Sequence, residues 1–289
     1  FPGAIAAGCF TFAAAALPGT PQTINVTPIP YLGTTVTAGA TLGIICGIIG
    51  IAATCVYMYW EAARARTAGD GFTADTATLE ALSKADEAGS NINPIIALIP
   101  ILVIIVLLVG LQINVLISML SGSAVCALLF FRNVKNVPSL LGDSVQSATS
   151  AAITTGCIVG YGAVVSASTG YATLSAALLS LDAPPLISYG LTTTILAGAA
   201  GSGTGGLAIA LENLAPQYLE MGISAEVLHR IGCLSAIGLD SLPHNGAVVV
   251  LLTLAGMTHK DSYKQIFVTT VVLTLIVAAT GIALATIMY

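Results

Sequence analysis

The chain has 289 residues, of which 56% are hydrophobic and only 7% are charged, with a net charge of -5. Soluble domains carry roughly 25% charged residues, so a water-soluble globule is excluded and the bilayer is the solvent. The acidic excess comes largely from one hydrophilic segment, Glu61 to Asn93, and nothing is basic enough to bind nucleic acid. Six cysteines (Cys9, Cys46, Cys55, Cys126, Cys157, Cys233) are scattered through apolar segments without CxxC spacing. They read as small buried hydrophobes, not as disulfides or metal ligands. The chain begins at Phe1 without an initiator Met or the basic start of a signal peptide, which is the expectation for a fragment lacking its N-terminal part.

Residues 1–34 form an apolar stretch broken at Pro18 and Gly19, and residues 36–60 form a membrane span with Tyr57, Tyr59 and Trp60 as its interfacial aromatics. Residues 61–93 read as a cytoplasmic linker, within which Ala77–Ala88 has the composition of a short surface helix. Pro94 to Phe131 is uncharged over 38 residues. As one helix it would be about 57 Å long, nearly twice the hydrocarbon thickness. It is therefore expected as two spans, 94–110 and 113–131, turning near Gly110–Asn114. Pro138–Gln146 is polar enough to lie along the interface.

A fourth span is expected over 144–166, packed closely through Gly156, Gly160 and Gly162. Residues 186–218 read as a re-entrant hairpin. Each arm is short for a crossing, and the centre, Gly201-Ser202-Gly203-Thr204-Gly205-Gly206, is too rich in glycine to stay helical. Residues 224–257 form a second broken helix, with half-helices Ala225–Ile237 and Ala247–Met257 around Gly238-Leu239-Asp240-Ser241-Leu242-Pro243-His244-Asn245-Gly246. Polar groups and helix breakers at that depth are costly unless they line a polar cavity. The last span is 265–288. Arg64, Arg66, Lys84, Arg132, Lys135, Lys260 and Lys264 can all face the cytoplasm in this layout, with Arg230 the exception.

The beginning of the chain echoes its end. Ala16–Gln22 and Ser241–Ala247 each break an apolar stretch, each is followed by a long uncharged span, and an odd number of crossings separates them. Inverted repeats with broken helices at the midplane are the mark of secondary transporters. The fold class is therefore an all-α polytopic membrane protein, an inverted-repeat transporter with broken helices and a re-entrant hairpin. On this layout residues 1–60 end a truncated first repeat, and residues 94–289 form the second.

At Gly238–Ala247, with Thr258-His259-Lys260-Asp261-Ser262-Tyr263 following, the chain resembles the gluconate permease (GntP) family, which includes hydroxybutyrate permeases. Ala16–Gln22, and Gly201–Gly206 followed by Ile209–Leu214, look like its other landmarks. The resemblance covers essentially the whole chain, as about the C-terminal two-thirds of a family member. It implies import of sugar acids or short hydroxy acids by proton symport in a bacterial inner membrane, by hairpins and broken helices that move against a scaffold. A homodimer is an expectation from the same source, and sodium in place of the proton stays open.

A carboxylate at the midplane needs donors and positive potential, which half-helix N-termini supply. Three are expected: after Gly19–Gln22, after Thr204–Gly206, and after His244–Gly246. Thr20, Gln22, Ser202, Thr204, Gly205, Ser241, His244 and Asn245 are the candidate substrate-binding residues, and Pro18, Gly19, Gly203, Pro243 and Gly246 the candidate helix breaks. The same polar residues would also serve merely to cap half-helices. Asp240 or His244 is expected to carry the coupled proton, with Asp240 as an N-cap of the second half-helix the competing role. Glu212 reads as an interfacial carboxylate, Arg230 as a snorkelling or ion-paired side chain, and His229 and His259 as surface residues outside any metal-ligand cluster. No cofactor is expected.

Two other functions fit a membrane chain. An intramembrane hydrolase would use Asp240, Ser241 and His244, but three triad members on one broken segment rarely converge, and no HExxH or GxSxG motif is present. A passive anion channel would also show polar interruptions and glycine hairpins. Uphill accumulation separates a symporter from a channel.

Overall fold

The computed structural model describes residues 17–69, 80, 83, 93–134, 136–254 and 257–289, and every regular element among them is helical. The chain divides into two compact units, one of Phe1–Val56 with Asp143–Tyr289 and one of Tyr57–Gly142. Among the described residues three helices are long and apolar enough to cross a membrane, Ala40–Ala68, Val115–Asn133 and His259–Met288, and Pro94–Gly110 and Pro185–Ala200 are shorter apolar helices. The protein is an all-α membrane protein.

Two single-turn helices, α1 (Thr23–Val26) and α2 (Ile29–Leu32), precede α3 (Ala40–Ala68). Pro28 and Pro30 have no N–H to continue a ladder, and Gly33 closes α2 in the left-handed region at φ 62. α3 outlasts the expected span by eight residues because Ala62, Ala63 and Ala65 favour helix. Tyr57 Oη donates to Glu61 at 3.1 Å and Arg64 lies 5.7 Å from the Trp60 ring, so the polar turns hold themselves together.

In the smaller unit α4 (Pro94–Ile105), extended by a wide π-type turn at Val106–Gly110, packs on α5 (Val115–Phe130). The turn falls at Leu111–Asn114, within the expected region, where Gln112 takes φ 53 and Asn114 caps Leu116 N at 2.9 Å. Gly122 allows the contact, since a Cβ there would collide with the Ile104 side chain. The expected surface helix at Ala77–Ala88 lies outside the described residues, apart from Glu80 and Ser83.

The other unit resumes in α6 (Val137–Ser166), a continuous helix that takes in Pro138–Gln146 as its first turns. Among the described residues nothing packs on Gly156 or Gly160, and the surroundings of Gly162 are not described. A helix that hydropathy did not single out, α7 (Thr169–Leu179), follows the Ser168 cap and sets Tyr171 and Leu178 against the hairpin.

The hairpin is α8 (Pro185–Ala200) and α9 (Gly203–Glu220). At 16 residues, α8 is about 24 Å long, short of a full crossing. Its tip is smaller than expected: only Gly201 and Ser202 leave the helix, while Gly203, Thr204, Gly205 and Gly206 open α9. Gly201 sits at φ 61 as a left-handed helix stop, and Gly206 packs so tightly that a Cβ would collide with the Ala197 backbone. Glycine in that run therefore serves close approach of the two arms instead of uncoiling. Its helical cost is offset by packing.

Where half-helices were expected over Ala225–Ile237 and Ala247–Met257, the described helices are α10 (Ala225–Ala236) and α11 (Gly246–Leu254). The chain ends in α12 (His259–Phe267), a π-type turn at Val268–Val272, and α13 (Leu273–Met288). α10 is the most enclosed element, every residue from Val227 to Ala236 being buried. Leu42 and Cys46 of α3, Leu207, Leu211 and Leu214 of α9, Leu228, Ile231 and Leu234 of α10, and Val277 and Ala285 of α13 make one core. Cys46 and Cys233 are the buried thiols expected, whereas Cys55, Cys126 and Cys157 are exposed on their helices.

Candidate functional site

Glycines on α8 bring the hairpin against the broken helix. A Cβ at Gly198 would stand 2.7 Å from Leu239 Cβ, and Thr194 Oγ1 donates to Ser235 O at 2.8 Å. This sets the tip of the hairpin beside the break between α10 and α11. Three contacts then close the junction. His244 Nε2 lies 2.9 Å from Gly198 O, Asn245 Nδ2 donates to Gly201 O at 2.8 Å, and Asp240 Oδ2 stands over Gly203, 2.9 Å from where a Cβ would be.

Asn245 also caps α11, its Oδ1 accepting from Ala247 N at 2.6 Å and from Val248 N at 3.2 Å. The cap expected of Asp240 is thus supplied by Asn245, because only the residue directly before the helix reaches its first N–H groups. Asp240 Oδ1 instead accepts from Ser241 Oγ at 2.9 Å. At the other terminus of the junction Ser202 caps α9, with Oγ accepting from Gly205 N at 3.3 Å and lying 3.2 Å from Thr204 Oγ1. Two half-helix N-termini, those of α9 and α11, therefore flank the same break, with Ser202, Thr204 and Asp240 all half-buried between them. A carbonyl oxygen can only accept, so His244 Nε2 carries a proton in its bond to Gly198.

α12 holds the break from beyond: Tyr263 Oη donates to Ser241 O at 3.2 Å, and His259 Nε2 stands 3.0 Å from Pro243 O. His259 is exposed, in agreement with its reading as a surface residue.

The first break behaves differently. Gly19 turns the chain at φ 85 and donates to Val36 O at 2.8 Å, and Thr20 Oγ1 donates back to Leu17 O at 3.3 Å. Gln22 precedes α1 without capping it. The half-helix expected there is a single turn, because Pro28 follows too soon, and four residues sum to little dipole. Its link to the junction is apolar: Ile24 Cδ1 would lie 3.2 Å from a Cβ on Gly203.

Residues that sequence reading passed over tie this segment to α10. Asn25 is fully buried and donates through Nδ2 to Thr20 O and Val36 O, both at 2.9 Å. Its Oδ1 must then accept, and His229 Nε2 lies 3.3 Å from it, while Thr34 Oγ1 lies 2.7 Å from His229 Nδ1. His229 is therefore a buried, network-forming imidazole and not a surface residue. Arg230 is likewise fully buried, not snorkelling: Nε and Nη2 donate to Ala38 O at 3.0 and 2.7 Å. Both corrections have one cause. α10 is surrounded on all sides, and the segment before α3 offers polar partners instead of solvent, the Ala38 carbonyl to Arg230 and the Thr34 hydroxyl and Asn25 side chain to His229. Asn25, an amide inside the short apolar segment Ile24–Val26, was the signal available.

Glu212 is exposed on α9, as expected of an interfacial carboxylate. A cavity of about 450 Å³ lies elsewhere, among Pro185, Leu186, Ile223, Val227, Ala285 and Tyr289. It opens at the start of α8, about 22 Å along that helix from the hairpin tip, and none of the expected site residues line it. No metal-holding cluster of His, Cys, Asp and Glu occurs among the described residues.

No family model matches the chain, and no solved structure matches it. The uncharacterized transporter YxjC of Bacillus subtilis (strain 168) is 31% identical to it, over an alignment that covers 96% of this chain and 68% of that protein. Identity at that level over nearly the whole chain places it in the family to which the Bacillus subtilis transporter YxjC belongs.

Proposed function

We propose that the chain is the substrate-handling part of a secondary active transporter for small organic anions, importing gluconate-like sugar acids or short hydroxy acids by proton symport across a bacterial inner membrane. The observation that carries this reading is the junction of Asp240, His244 and Asn245 with the hairpin tip, Gly198 to Thr204. The dipoles of two capped helix N-termini lend positive potential to a carboxylate there, and Ser202 and Thr204 offer hydroxyls to a polyol or hydroxy acid. A protonatable carboxylate stands beside them. The resemblance to gluconate permeases and the kinship with a transporter support the same reading.

Its alternative is a passive anion pore through the same junction. The test is uptake of labelled gluconate and 3-hydroxybutyrate by proteoliposomes under an inward proton gradient, with sodium absent. Accumulation above equilibrium that a protonophore abolishes is the expected result. Uptake that only equilibrates favours the pore, and accumulation that requires sodium transfers coupling to that ion. No uptake of either acid under any of these conditions overturns the carboxylate reading.

A further inference from the structure

α12 lays one face along the break. His259 and Tyr263 are four residues apart, so their side chains share one side of that helix, and their ring centroids are 5.7 Å apart. Phe267 extends the row, 6.0 Å from the Tyr263 ring. The helix that carries them is fixed at both ends. Thr258 and Asp261 close a capping box at its start, with Thr258 N donating to Asp261 Oδ2 at 2.9 Å. Near its other end Ile266 is buried in a cluster with Val248 and Leu252 of α11.

Carbonyls freed by a helix break need donors from elsewhere. Leu242 O accepts from Asn245 N at 2.8 Å, and Asn245 O from Val249 N at 3.1 Å. Ser241 O and Pro243 O are met from α12, by Tyr263 Oη at 3.2 Å and His259 Nε2 at 3.0 Å. Ser241 is also the residue whose hydroxyl donates to Asp240 Oδ1 at 2.9 Å, while the other carboxylate oxygen stands beside Gly203. Two hydrogen bonds in series, Tyr263 to Ser241 and Ser241 to Asp240, therefore link α12 to the carboxylate at the hairpin tip.

We infer that Tyr263 is a positioning residue of the transport cycle: by holding the Ser241 backbone it aims the Asp240 carboxylate at the hairpin tip, and so ties passage of the substrate to that of the proton. Without the Tyr263 hydroxyl the Ser241 carbonyl turns to find water, and the Ser241 side chain turns with it. Asp240 then loses the bond that fixes its rotamer, and the oxygen beside Gly203 leaves the tip. Substrate crosses with the carboxylate out of place, so transport continues while the proton gradient no longer drives accumulation. The Tyr263 ring has a separate, structural task, since it packs in the α11 cluster and between His259 and Phe267. Removing the hydroxyl alone separates aiming from folding.

This rests on the proton-symport reading, and its test separates the two. Proteoliposomes of the full chain would be given an inward proton gradient without sodium. Accumulation of labelled gluconate and 3-hydroxybutyrate would be compared with exchange of the same acids at equal pH on both sides. Tyr263→Phe should lower accumulation about five- to tenfold, the worth of one hydrogen bond, with exchange and Tm as in wild type. Ser241→Ala, which cuts the same series one bond later, should lower accumulation by a similar factor. Tyr263→Phe combined with Ser241→Ala should fall no further than Ser241→Ala alone, because both act on one carboxylate by one path.

A Tyr263 that merely supports the fold would lower Tm, exchange and accumulation together, and its effect would multiply with that of Ser241→Ala. Either result overturns the inference, as does a Tyr263→Phe protein that accumulates both acids like wild type. If Tyr263→Phe does not fold, undiminished accumulation by Ser241→Ala overturns the inference without it. Wild-type protein that exchanges the acids but accumulates neither ends the symport reading itself, and the inference with it.

Discussion

Asn245 joins the two discontinuous elements through one side chain, donating to Gly201 O at 2.8 Å while accepting from Ala247 N at 2.6 Å. The hairpin tip and the second half-helix therefore share a hinge pin, buried at 7% exposure, and cannot part without breaking it. Asn245→Ala should lower unfolding stability by about 2–3 kcal/mol, through the lost cap and the orphaned carbonyl of Gly201. Asn245→Asp keeps the cap and loses only the donor to Gly201. Thermal unfolding of the purified variants should therefore rank wild type above Asp above Ala, with transport lost in both.

The glycines of the hairpin should respond to alanine in a graded order. Gly206→Ala drives a Cβ into the backbone of Ala197, which cannot yield, and should abolish folded protein. Gly203→Ala meets Asp240 Oδ2 at 2.9 Å and Ala236 O at 3.0 Å, so the protein should fold but lose substrate affinity. Gly205→Ala meets only Ser202, with Oγ at 3.4 Å, and should gain helix propensity at little cost. Expression, Tm and KM across the three variants check the order; a tolerated Gly206→Ala would contradict the packing described.

Asn25 and His229 form one network with Thr34, so their effects should not add. Asn25→Leu and His229→Phe should each cost about 2 kcal/mol by leaving a buried partner unsatisfied. The double variant, with both polar ends removed, should cost at least about 1 kcal/mol less than their sum. A double-mutant cycle on Tm or denaturant unfolding measures this, and strict additivity would place the two residues in separate environments.

Arg230 and Gly39 lock the loop between residues 34 and 39 onto α10. Gly39 has φ 59, and a Cβ there would stand 2.7 Å from Arg230 Cβ and 2.9 Å from Glu226 O. Gly39→Ala should therefore destabilise by more than the about 1 kcal/mol of the backbone conformation alone. Arg230→Lys retains the charge but cannot place two donors on Ala38 O, so it should also lose stability. Pulsed proteolysis between residues 34 and 39 should be faster in both variants.

Hydropathy and helix breakers made most of this architecture legible. The turn at 111–114, the hairpin arms and both halves of the broken helix around Asp240 fall where uncharged runs meet Pro, Gly and Asn, because a bilayer leaves backbone no other place to break. The gathering of Asp240, His244 and Asn245 was legible too, since they are neighbours in the chain. What they touch was not. That His244 and Asn245 reach the carbonyls of Gly198 and Gly201, and that Asp240 covers Gly203, depends on how closely α8 and α10 approach, which local sequence does not encode. The tip shrank to Gly201 and Ser202 because packing between the arms outweighed glycine's poor helix propensity. His229 and Arg230 went inward for the same reason. A charged or imidazole side chain on an amphipathic helix is read as exposed until tertiary structure surrounds that helix and supplies the polar partners that satisfy it, here the Ala38 carbonyl for Arg230 and Thr34 and Asn25 for His229.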